Sequence, residues 1–548
     1  MLQRMSHLVQ VAAFIALLGG LIFFHELGHF AAAKLFGVKV LRFSLGFGPK
    51  VWGVKRGETE YVLAALPLGG FVRMAGEDPS QPLPPEDKGR GFSEQKPYRR
   101  AIIALAGPAV NLLLPPLVYA LVNLTPQPQI PPVVGLVLPG EAAQAAGVRA
   151  GDRVLSVDGV RTRSFDEMKE QIVKRGGEPV VLVVDRAGRR LTLRLTPGFT
   201  TEKNPVETEK QGFIGILAGK VPPYIAVRPG SRAALAGLKD FDRVTSVDGQ
   251  PIATDYQLER ALAGLGAEAV TLGVVRTAAV KLPTAPVATA KALTLRIPAG
   301  VGPLGFDDPQ MYVREVKRGG VAWAAGLRPD DKVVEVDGKP VENEIRYSDV
   351  VDGQQKLDLV VDRGGARVRV AFTAPMKETM DFLEGPQTAP AYGFAFDYRV
   401  FHPVPYTDAE LVRISYPPLA ALARGFDETV NLTRMMVLGI IGIASGHISS
   451  RSIGGPILLY QLTSIAAEGG LATFLKMFAL ISINLGLVNL LPVPVLDGFH
   501  IVVSGIEGVS RRAVPLRFRE IASYVGIVML VALMVLAFRN DIIRTWFQ

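Results

Sequence analysis

Four stretches of the chain are apolar for long enough to cross a lipid bilayer. They are residues 8–33, 101–124, 474–497 and 521–538. A bilayer core about 30 Å thick needs roughly 20 helical residues, so each stretch predicts a transmembrane helix. A shorter apolar stretch, 435–446, cannot span alone and is predicted to be an interfacial helix within a region of amphipathic helices over 405–470.

The polar positions between these stretches predict their orientation. Twelve Lys and Arg residues lie in 34–100, and four arginines lie in 511–519. Because Lys and Arg concentrate in cytoplasmic loops, we expect both segments on the cytoplasmic side. The N-terminus and residues 125–430 are then expected on the opposite side. Within residues 40–75, "SLGFGPKVWG" and "YVLAALPLGGFVRM" alternate in the manner of β-strands.

A cleaved signal peptide ending at 31–33 is the alternative interpretation of the N-terminus. The apolar run is long for a signal peptide, and its positive charge follows the run instead of preceding it. Cleavage would also remove three polar residues in the run. An uncleaved first helix is therefore the favoured prediction.

The middle of the chain contains three copies of one pattern. They are "GEAAQAAGVRAGDRVLSVDGVRT" at 140–162, "GSRAALAGLKDFDRVTSVDGQPI" at 230–252 and "GGVAWAAGLRPDDKVVEVDGKPV" at 319–341. The aligned glycines Gly147, Gly237 and Gly326 are 90 and 89 residues apart. Each copy predicts a short helix, a strand, an Asp-Gly hairpin, an amphipathic helix and two further strands. A period of this length suits a small complete domain.

Composition narrows the class of protein. The 548 residues are 49% hydrophobic, with a mean hydropathy of +0.27 and a net charge of +9. These values favour a membrane protein with water-exposed modules, and the positive charge follows from cytoplasmic loops without nucleic-acid binding. The chain contains no cysteine and six histidines, so a zinc site would use His, Asp or Glu.

The first apolar stretch contains "HELGH". His25, Glu26 and His29 are ionisable, and placing ionisable side chains inside a membrane costs free energy. Residues four apart share one face of a helix, so both imidazoles can bind one zinc ion. Glu26 then lies beside the ion as a base for water. The alternative is a polar cluster satisfied by hydrogen bonds alone, and the HExxH spacing favours zinc.

A catalytic zinc needs a third protein ligand. The best candidate is Asp497 in "NLLPVPVLDG", because Pro492 and Pro494 break the third apolar helix and irregular backbone at that depth must face protein or water. His500 is a competitor, three residues away. The remaining histidines are less suitable by position: His7, His402 and His447.

Five motifs in this order resemble the bacterial site-2 proteases of the RseP type, which are zinc intramembrane metalloproteases. They are "HELGH", "GFG" at 46–48, "PLGGFV" at 67–72, "AGPAVN" at 106–111 and "SINLGLVNLLPVPVLDG". The resemblance covers almost the whole chain. It implies one zinc ion per chain, bound by His25, His29 and Asp497, with Glu26 as general base.

The resemblance also implies a set of substrate-contacting residues: Asn484, Asn489, Gly46, Gly48, Pro492 and Pro494. The β-like segments resemble a membrane-associated element that pairs with the substrate as an added strand. Two alternatives remain at this point. Asn484 can instead form an interhelical hydrogen bond, and the two glycines can serve a tight turn only.

The three copies resemble circularly permuted PDZ domains, expected over 130–200, 212–298 and 302–376. "GFIGIL" (212–217) and "GPLGFD" (302–307) resemble the loop that binds a C-terminal carboxylate, and we assign them to the second and third copies. The first copy has no clear counterpart before it. Members of this family usually carry one or two PDZ domains, so three copies are a departure. The predicted fold is a polytopic α-helical membrane protein with a β-element and three inserted α/β PDZ domains.

The implied function is cleavage within transmembrane segments of single-span proteins, such as anti-sigma factors and remnant signal peptides. A site-1 protease would first shorten the substrate, and the PDZ domains would gate access or bind peptide C-termini. The implied location is the bacterial inner membrane, with periplasmic PDZ domains, an active site near the cytoplasmic side and no nucleic-acid partner. The alternative is a catalytically silent membrane scaffold whose PDZ domains bind exposed C-termini. A soluble-type zinc protease tethered by one helix would leave three apolar stretches unexplained.

Overall fold

The computed structural model describes residues 7–546 except 78–82, 204–207, 264, 266, 282–285, 382–384, 398–399, 401–405 and 447. The chain forms two compact units. The membrane unit contains residues up to 127, 380–385 and those from 415 onward. The repeat unit contains residues 128–379 and 386–414.

The N-terminal half of the membrane unit is a helix, a β-hairpin and a second helix. Its elements are α1 (His7–Leu35), β1 (Val40–Arg56), β2 (Thr59–Met74), a 3-10 turn (Pro85–Asp87) and α2 (Pro97–Leu124). The hairpin folds back on itself, because residues 42–45 pair with 70–73 on one side and with 60–63 on the other. The predicted β-element is therefore present, and Val51, Trp52 and Val54 on it are exposed apolar side chains.

Among the described residues, the repeat unit contains three larger sheets of four, six and four strands, several two-stranded sheets, and three separate hydrophobic cores. The first repeat has β3 (Gln127–Gln129), β4 (Leu136–Val137), α3 (Ala142–Ala145), β5 (Arg153–Val157), β6 (Val160–Arg161), α4 (Phe165–Val173), β7 (Val180–Arg186), β8 (Arg189–Leu195), β9 (Gly198–Lys203), β10 (Thr208–Phe213) and β11 (Ile216–Leu217). The second has β12 (Tyr224–Val227), α5 (Arg232–Leu235), β13 (Asp242–Val247), β14 (Gln250–Pro251), α6 (Asp255–Ala263), β15 (Val270–Lys281), β16 (Pro286–Ile297) and β17 (Phe306–Asp307). The third has β18 (Val313–Val316), α7 (Val321–Ala324), β19 (Lys332–Val336), β20 (Lys339–Pro340), α8 (Glu344–Val351), β21 (Lys356–Arg363), β22 (Ala366–Thr373), β23 (Met376–Asp381), β24 (Gly385–Pro390) and β25 (Phe394–Phe396).

Each repeat contains the same ion pair between a partly exposed arginine and a buried aspartate. The arginine is on the strand after the longer helix, binds both aspartate oxygens at 2.6–2.7 Å, and also donates to the carbonyl of the glycine after the short helix. The pairs are Asp152 with Arg186, Asp242 with Arg276 and Asp331 with Arg363. Bidentate Arg–carboxylate pairs are strong and directional, so the pair fixes the strand against the helix in every copy.

The two carboxylate-loop segments belong to different repeats from those assigned from the sequence. Ile214 and Ile216 lie in the core of the first repeat, and β11 pairs with β4. Phe306 packs on the core of the second repeat, and β17 pairs with β12. The assignment to the second and third copies is wrong, because each loop follows the repeat that it completes. In the third repeat, β25 after Gly393 takes the same place against β18.

The C-terminal half of the membrane unit is entirely helical between its loops. After β26 (Val412–Ile414) come α9 (Pro418–Ala444), a 3-10 turn (Ser450–Ser452), α10 (Pro456–Glu468), α11 (Leu471–Asn489), α12 (Asp497–Ser510) and α13 (Leu516–Trp546). Residues 435–446 are not a separate short helix, as predicted, but mostly the end of the 27-residue α9. The helix extends toward its N-terminus because Ala421 and Gly425 are buried, and Gly425 lies against the backbone of α2.

Among the described residues, four helices are long and apolar enough to cross a membrane: α1, α2, α11 and α13. They correspond to the four predicted spans. The third is shorter than predicted, because α11 ends at Asn489 and the chain is not helical again until Asp497. Pro492 and Pro494 lie in this break, in agreement with their inability to donate a backbone hydrogen bond.

Candidate metal centre

Three predicted ligands meet inside the membrane unit. Nε2 of His25 lies 3.2 Å from Nε2 of His29, and Asp497 places Oδ2 at 3.2 Å from the first nitrogen and Oδ1 at 3.4 Å from the second. Both imidazoles are buried, each with 8% of its surface exposed. The carboxylate reaches them from a point 468 residues after His29 in the sequence.

The local structure explains this convergence. His25 and His29 are one turn apart on α1 and therefore project from one face. Asp497 is the first residue of α12, immediately after the proline-containing break. Gly498 allows the return of the chain, since a Cβ atom there would lie 2.3 Å from the carbonyl oxygen of Leu491. The break thus delivers a carboxylate to a helix face that a continuous α11 could not reach.

Each imidazole is held through its other nitrogen. Nδ1 of His29 lies 2.8 Å from the carbonyl oxygen of Ile103, to which it donates when protonated. Nδ1 of His25 lies 3.1 Å from the side-chain amide of Asn111, and Ser482 donates to the backbone oxygen of Asn111 at 2.8 Å. Hydrogen bonds of this kind select the tautomer of a metal-binding histidine. Both Nε2 atoms then face each other and Asp497, as ligands of one shared metal ion would.

The donor set fits zinc. Ligands about 2.0–2.1 Å from a tetrahedral zinc ion are roughly 3.3–3.4 Å from one another, which matches the separations of 3.2–3.4 Å. Oδ1 of Asn111 is buried without a partner, while its Nδ2 faces Nδ1 of His25. Reversing the amide lets Oδ1 accept from Nδ1–H, which is the proton arrangement that zinc on Nε2 requires.

Two glycines make room for this centre, and sequence reasoning missed both. A Cβ atom on Gly28 would lie 2.3 Å from the carbonyl oxygen of Ala106, so α1 and α2 touch backbone to backbone. A Cβ atom on Gly107 would lie 2.3 Å from Nε2 of His29. Asn111 was also not among the predicted site residues, although "AGPAVN" was noted as a motif. The motif was therefore visible in the sequence, but the contact between Asn111 and His25 was not.

The predicted base lies next to the β-hairpin. Glu26 is half-buried on α1. A Cβ atom on Gly70 of β2 would lie 3.2 Å from Cγ of Glu26 and 2.7 Å from Cγ2 of Ile22. The Gly70 backbone can therefore pass close to the carboxylate, and the "PLGGFV" motif runs directly beside "HELGH".

The predicted substrate-contacting residues lie at different distances from this centre. Nδ2 of Asn489, at the end of α11, is 3.3 Å from Nε2 of His25. Asn484 is exposed on α11, and in the described part of the chain its amide has no hydrogen-bond partner. The interhelical bond considered for it is therefore not formed among those residues.

The glycines and prolines of the predicted site have backbone roles. Gly46 and Gly48 have φ values of 93° and 89°, and a Cβ atom on Gly46 would lie 2.7 Å from the carbonyl oxygen of Leu66. Pro492 is exposed, whereas the carbonyl oxygen of Pro494 lies against Gly526 of α13.

The other histidines do not join the group. Among the described residues, His25, His29 and Asp497 form the one group of three His, Asp or Glu side chains with ligand atoms close enough to share an ion. His500, the competing third ligand, is not in that group. His402 and His447 lie outside the described residues.

Comparison with known proteins identifies the family of the chain. The sequence profile of peptidase family M50 matches residues 13–533. The regulator of sigma-E protease RseP from Salmonella typhimurium (strain 14028s / SGSC 2262) is 29% identical over 98% of this chain and 100% of its own length. Protease RseP from Yersinia pestis is 30% identical over 98% of this chain and 100% of its own length. A protein named as a zinc metalloprotease in Neisseria meningitidis serogroup A is 29% identical over 97% and 98%.

One solved structure, a PDZ domain protein from Parabacteroides distasonis ATCC 8503, covers 49% of this chain and 95% of its own at 11% identity. Its TM-score of 0.12 is too low to indicate a shared fold. The family match and the full-length relatives carry the identification. The chain belongs to peptidase family M50 and is a zinc metalloprotease of the site-2 type.

Proposed function

We propose that this metalloprotease hydrolyses peptide bonds within transmembrane segments of single-span membrane proteins. The observation that carries the proposal is the convergence of His25, His29 and Asp497 at 3.2–3.4 Å. The two histidines are on α1, which is apolar and long enough to span a membrane, and Asp497 follows the break that ends α11, a second such helix. A protease centre at that depth acts on peptide bonds that soluble proteases do not reach.

The chemistry assigned to each residue follows from its position. His25, His29 and Asp497 would hold one zinc ion per chain, which supplies a Lewis acid for the carbonyl oxygen and lowers the pKa of water. Glu26 accepts a proton from the attacking water and passes it to the leaving amine nitrogen. Asn489, beside His25, has an amide that can donate to the substrate backbone.

The substrate must be locally unwound before cleavage, because a helical carbonyl is already bonded to an amide four residues on. An added β-strand satisfies the backbone that unwinding frees. The arm of β2 at 70–73 pairs with 42–45 on one side and passes Glu26, so a substrate strand on this element would lie near the base. Asn484, exposed on α11, would meet the substrate farther along the same path.

The three repeats are proposed as permuted PDZ domains that gate access to the centre. With each loop assigned to the repeat that it completes, they cover about 130–217, 221–307 and 311–396. We propose that they lie in the periplasm, exclude substrates with large outer domains and accept those shortened by a site-1 protease. Peptide C-termini are the ligands expected at their loops.

The proposed substrates are anti-sigma-factor-like proteins and remnant signal peptides in the bacterial inner membrane. Support comes from the relatives named as regulators of sigma-E protease, which match this chain over nearly its whole length. The active site would lie near the cytoplasmic side, where the basic segments 34–100 and 511–519 are expected.

The test is cleavage of a single-span reporter by the purified, zinc-loaded full chain in proteoliposomes. Mass spectrometry of the products locates the cut. We expect it inside the apolar span, and faster cleavage when a helix-breaking residue is placed there. A cut confined to the extramembrane part of the reporter would contradict the intramembrane assignment, and a chain that binds the reporter's C-terminus without cutting would favour the scaffold.

A further inference from the structure

A basic cavity of about 550 Å³ lies in the membrane unit, away from the metal centre. It is bounded by the start of α2, the end of α12 and the segment that leads into α13. The side chains that matter here are Lys96, Tyr98, Arg100, Glu507, Arg511 and Arg512. Four of these six are basic and one is acidic, so the cavity attracts anions.

The single acid is already neutralised. Arg100 donates to Oε2 of Glu507 at 2.5 Å, Arg519 donates to its Oε1, and the backbone N–H of Val514 donates to Oε1 at 2.8 Å. Glu507 is buried, with 5% of its surface exposed. It therefore holds α2, α12 and α13 together, and it has little capacity left to balance further charge.

The other cations of the cavity have no acidic partner. In the part of the chain that the structure describes, no carboxylate pairs with Lys96, Arg511 or Arg512. Nε of Arg100 is buried without an acceptor. A cluster with surplus donors and surplus positive charge is suited to an oxyanion such as phosphate.

The start of α2 adds to this field. Pro97 has no N–H, and Arg99 and Arg100 donate theirs to the carbonyl of Lys96, so this helix start contributes mainly the positive end of the helix dipole. Lys96 is the N-cap of the 28-residue α2 and makes no side-chain cap there. An anion in the cavity is therefore favoured by the helix as well as by the side chains.

Exposed apolar surface begins directly beside the cavity. Val509 on α12 is 89% exposed, and Ile506 on the same helix is also exposed and apolar. Ile102 on α2 and Phe518 on α13 are exposed apolar residues within a few positions of the cavity. Because α2 and α13 are long and apolar enough to span a membrane, the junction of their polar ends with this apolar surface is where we expect lipid headgroups.

We propose that this cavity binds the phosphate of an anionic phospholipid headgroup, with the acyl chains lying along the exposed apolar residues of α12 and α13. Basic pockets between membrane helices bind such headgroups. The adjoining apolar surface favours a lipid over a free phosphate, which would make no use of it. Because α2 carries Asn111 and α12 begins at Asp497, the bound lipid links two of the helices that form the metal centre.

The test uses zinc-loaded full chain in nanodiscs of phosphatidylcholine with increasing phosphatidylglycerol. Native mass spectrometry counts retained lipids, and the thermal midpoint reports stabilisation. The variant is Lys96→Gln/Arg511→Gln/Arg512→Gln. The matched control, Lys55→Gln/Arg56→Gln/Arg517→Gln, removes the same charge from exposed residues that do not line the cavity.

We expect the cavity variant to retain at least tenfold less phosphatidylglycerol, and the control to change by less than twofold. The zinc content and the thermal midpoint in pure phosphatidylcholine should be unchanged in both variants. Equal losses in the two variants would show a general charge effect and overturn the site. Inorganic phosphate and glycerol phosphate separate the two possible ligands. If neither displaces retained phosphatidylglycerol nor raises the thermal midpoint, the lipid is supported. If either raises the midpoint as far as phosphatidylglycerol does, the site binds free phosphate and the lipid proposal is overturned. If the triple variant does not fold, Arg512→Gln against Arg517→Gln gives the same comparison.

Discussion

The side-chain amide of Asn111 on α2 lies 3.1 Å from Nδ1 of His25 on α1. This contact orients the imidazole so that Nε2 faces Asp497. With the amide reversed so that Oδ1 faces the ring, we propose that Asn111 of the "AGPAVN" motif holds the proton on Nδ1 and leaves Nε2 for the metal.

Asn111→Leu should weaken zinc binding without unfolding the chain. Leucine has the same number and branching of side-chain heavy atoms, but it cannot accept from Nδ1–H, and loss of such a partner typically costs about 10–100-fold in metal affinity. Zinc competition with a chelator measures the change, and activity should recover in excess zinc. Asn123→Leu, near the other end of α2, is the control and should retain normal affinity. Unchanged zinc affinity in Asn111→Leu would contradict the role given to Asn111.

Gly107→Ala should displace His29 and abolish stoichiometric zinc binding. The added Cβ atom would lie 2.3 Å from Nε2 of His29, which is closer than two non-bonded atoms can approach. Gly19→Ala on α1 is the control, because nothing lies within 4 Å of its Cβ position. Zinc content by mass spectrometry distinguishes them: we expect loss in the first and about one ion per chain in the second. A zinc-replete Gly107→Ala enzyme would show that the two helices are not packed in this way.

Arg363→Leu should destabilise the third repeat by about 2 kcal/mol or more, because it leaves the buried carboxylate of Asp331 unpaired. The loss is moderated because the Arg363 side chain is 41% exposed. Arg367→Leu in the same sheet removes a largely exposed pair with Glu335 and should cost under about 0.5 kcal/mol. Pulse proteolysis of the full chain, scored for cuts within 311–396, measures both. If the two variants are equally sensitive to proteolysis, the pair of Arg363 and Asp331 does not stabilise the repeat in the way described.

Asp255→Asn should stabilise the second repeat at pH 8 and not at pH 4. Burial raises the pKa of Asp255 to about 7, and repulsion from Asp308 and Glu259 adds to the shift. In the unfolded chain the pKa is about 3.9. The folded state therefore holds the proton more tightly, and stability falls as the pH rises from about 4 to about 7.

The amide carries no charge, so the free energy of unfolding of the variant should be higher by on the order of 1–3 kcal/mol at pH 8 and unchanged at pH 4. Urea unfolding of the repeat unit within the full chain, at the two pH values, measures the difference. Asp166→Asn removes an exposed acid at the start of the corresponding helix of the first repeat, and it is the control for the loss of one carboxylate. A gain that is the same at both pH values would rule out the titration of Asp255 as its cause.

The parts of the site that sequence predicts are those with local signals. His25 and His29 are four residues apart on one helix, and Asp497 follows two prolines that interrupt an apolar run. The four spans are likewise local, since each is a continuous apolar stretch. Gly28, Gly107 and Asn111 were missed because what each one touches lies on another helix, about 80 residues away in the sequence.

The assignment of the carboxylate-like loops shows the same limit. "GFIGIL" lies between the first and second repeats in the sequence, so proximity alone does not decide its owner. The pairing of Ile216 with Val137, 79 residues apart, decides it. Strand pairing over such a separation depends on how the repeat closes, which the order of its motifs does not reveal.

The central claim is that Glu26 acts as the base of a zinc centre formed by His25, His29 and Asp497. The most direct test is the purified Glu26→Gln variant, assayed for bound zinc and for cleavage of a single-span reporter in the same preparation. We predict about one zinc ion per chain, as in the wild type, with cleavage reduced by at least about a hundredfold because no carboxylate is present to take the proton from water. Cleavage at the wild-type rate by the zinc-loaded variant would contradict the account.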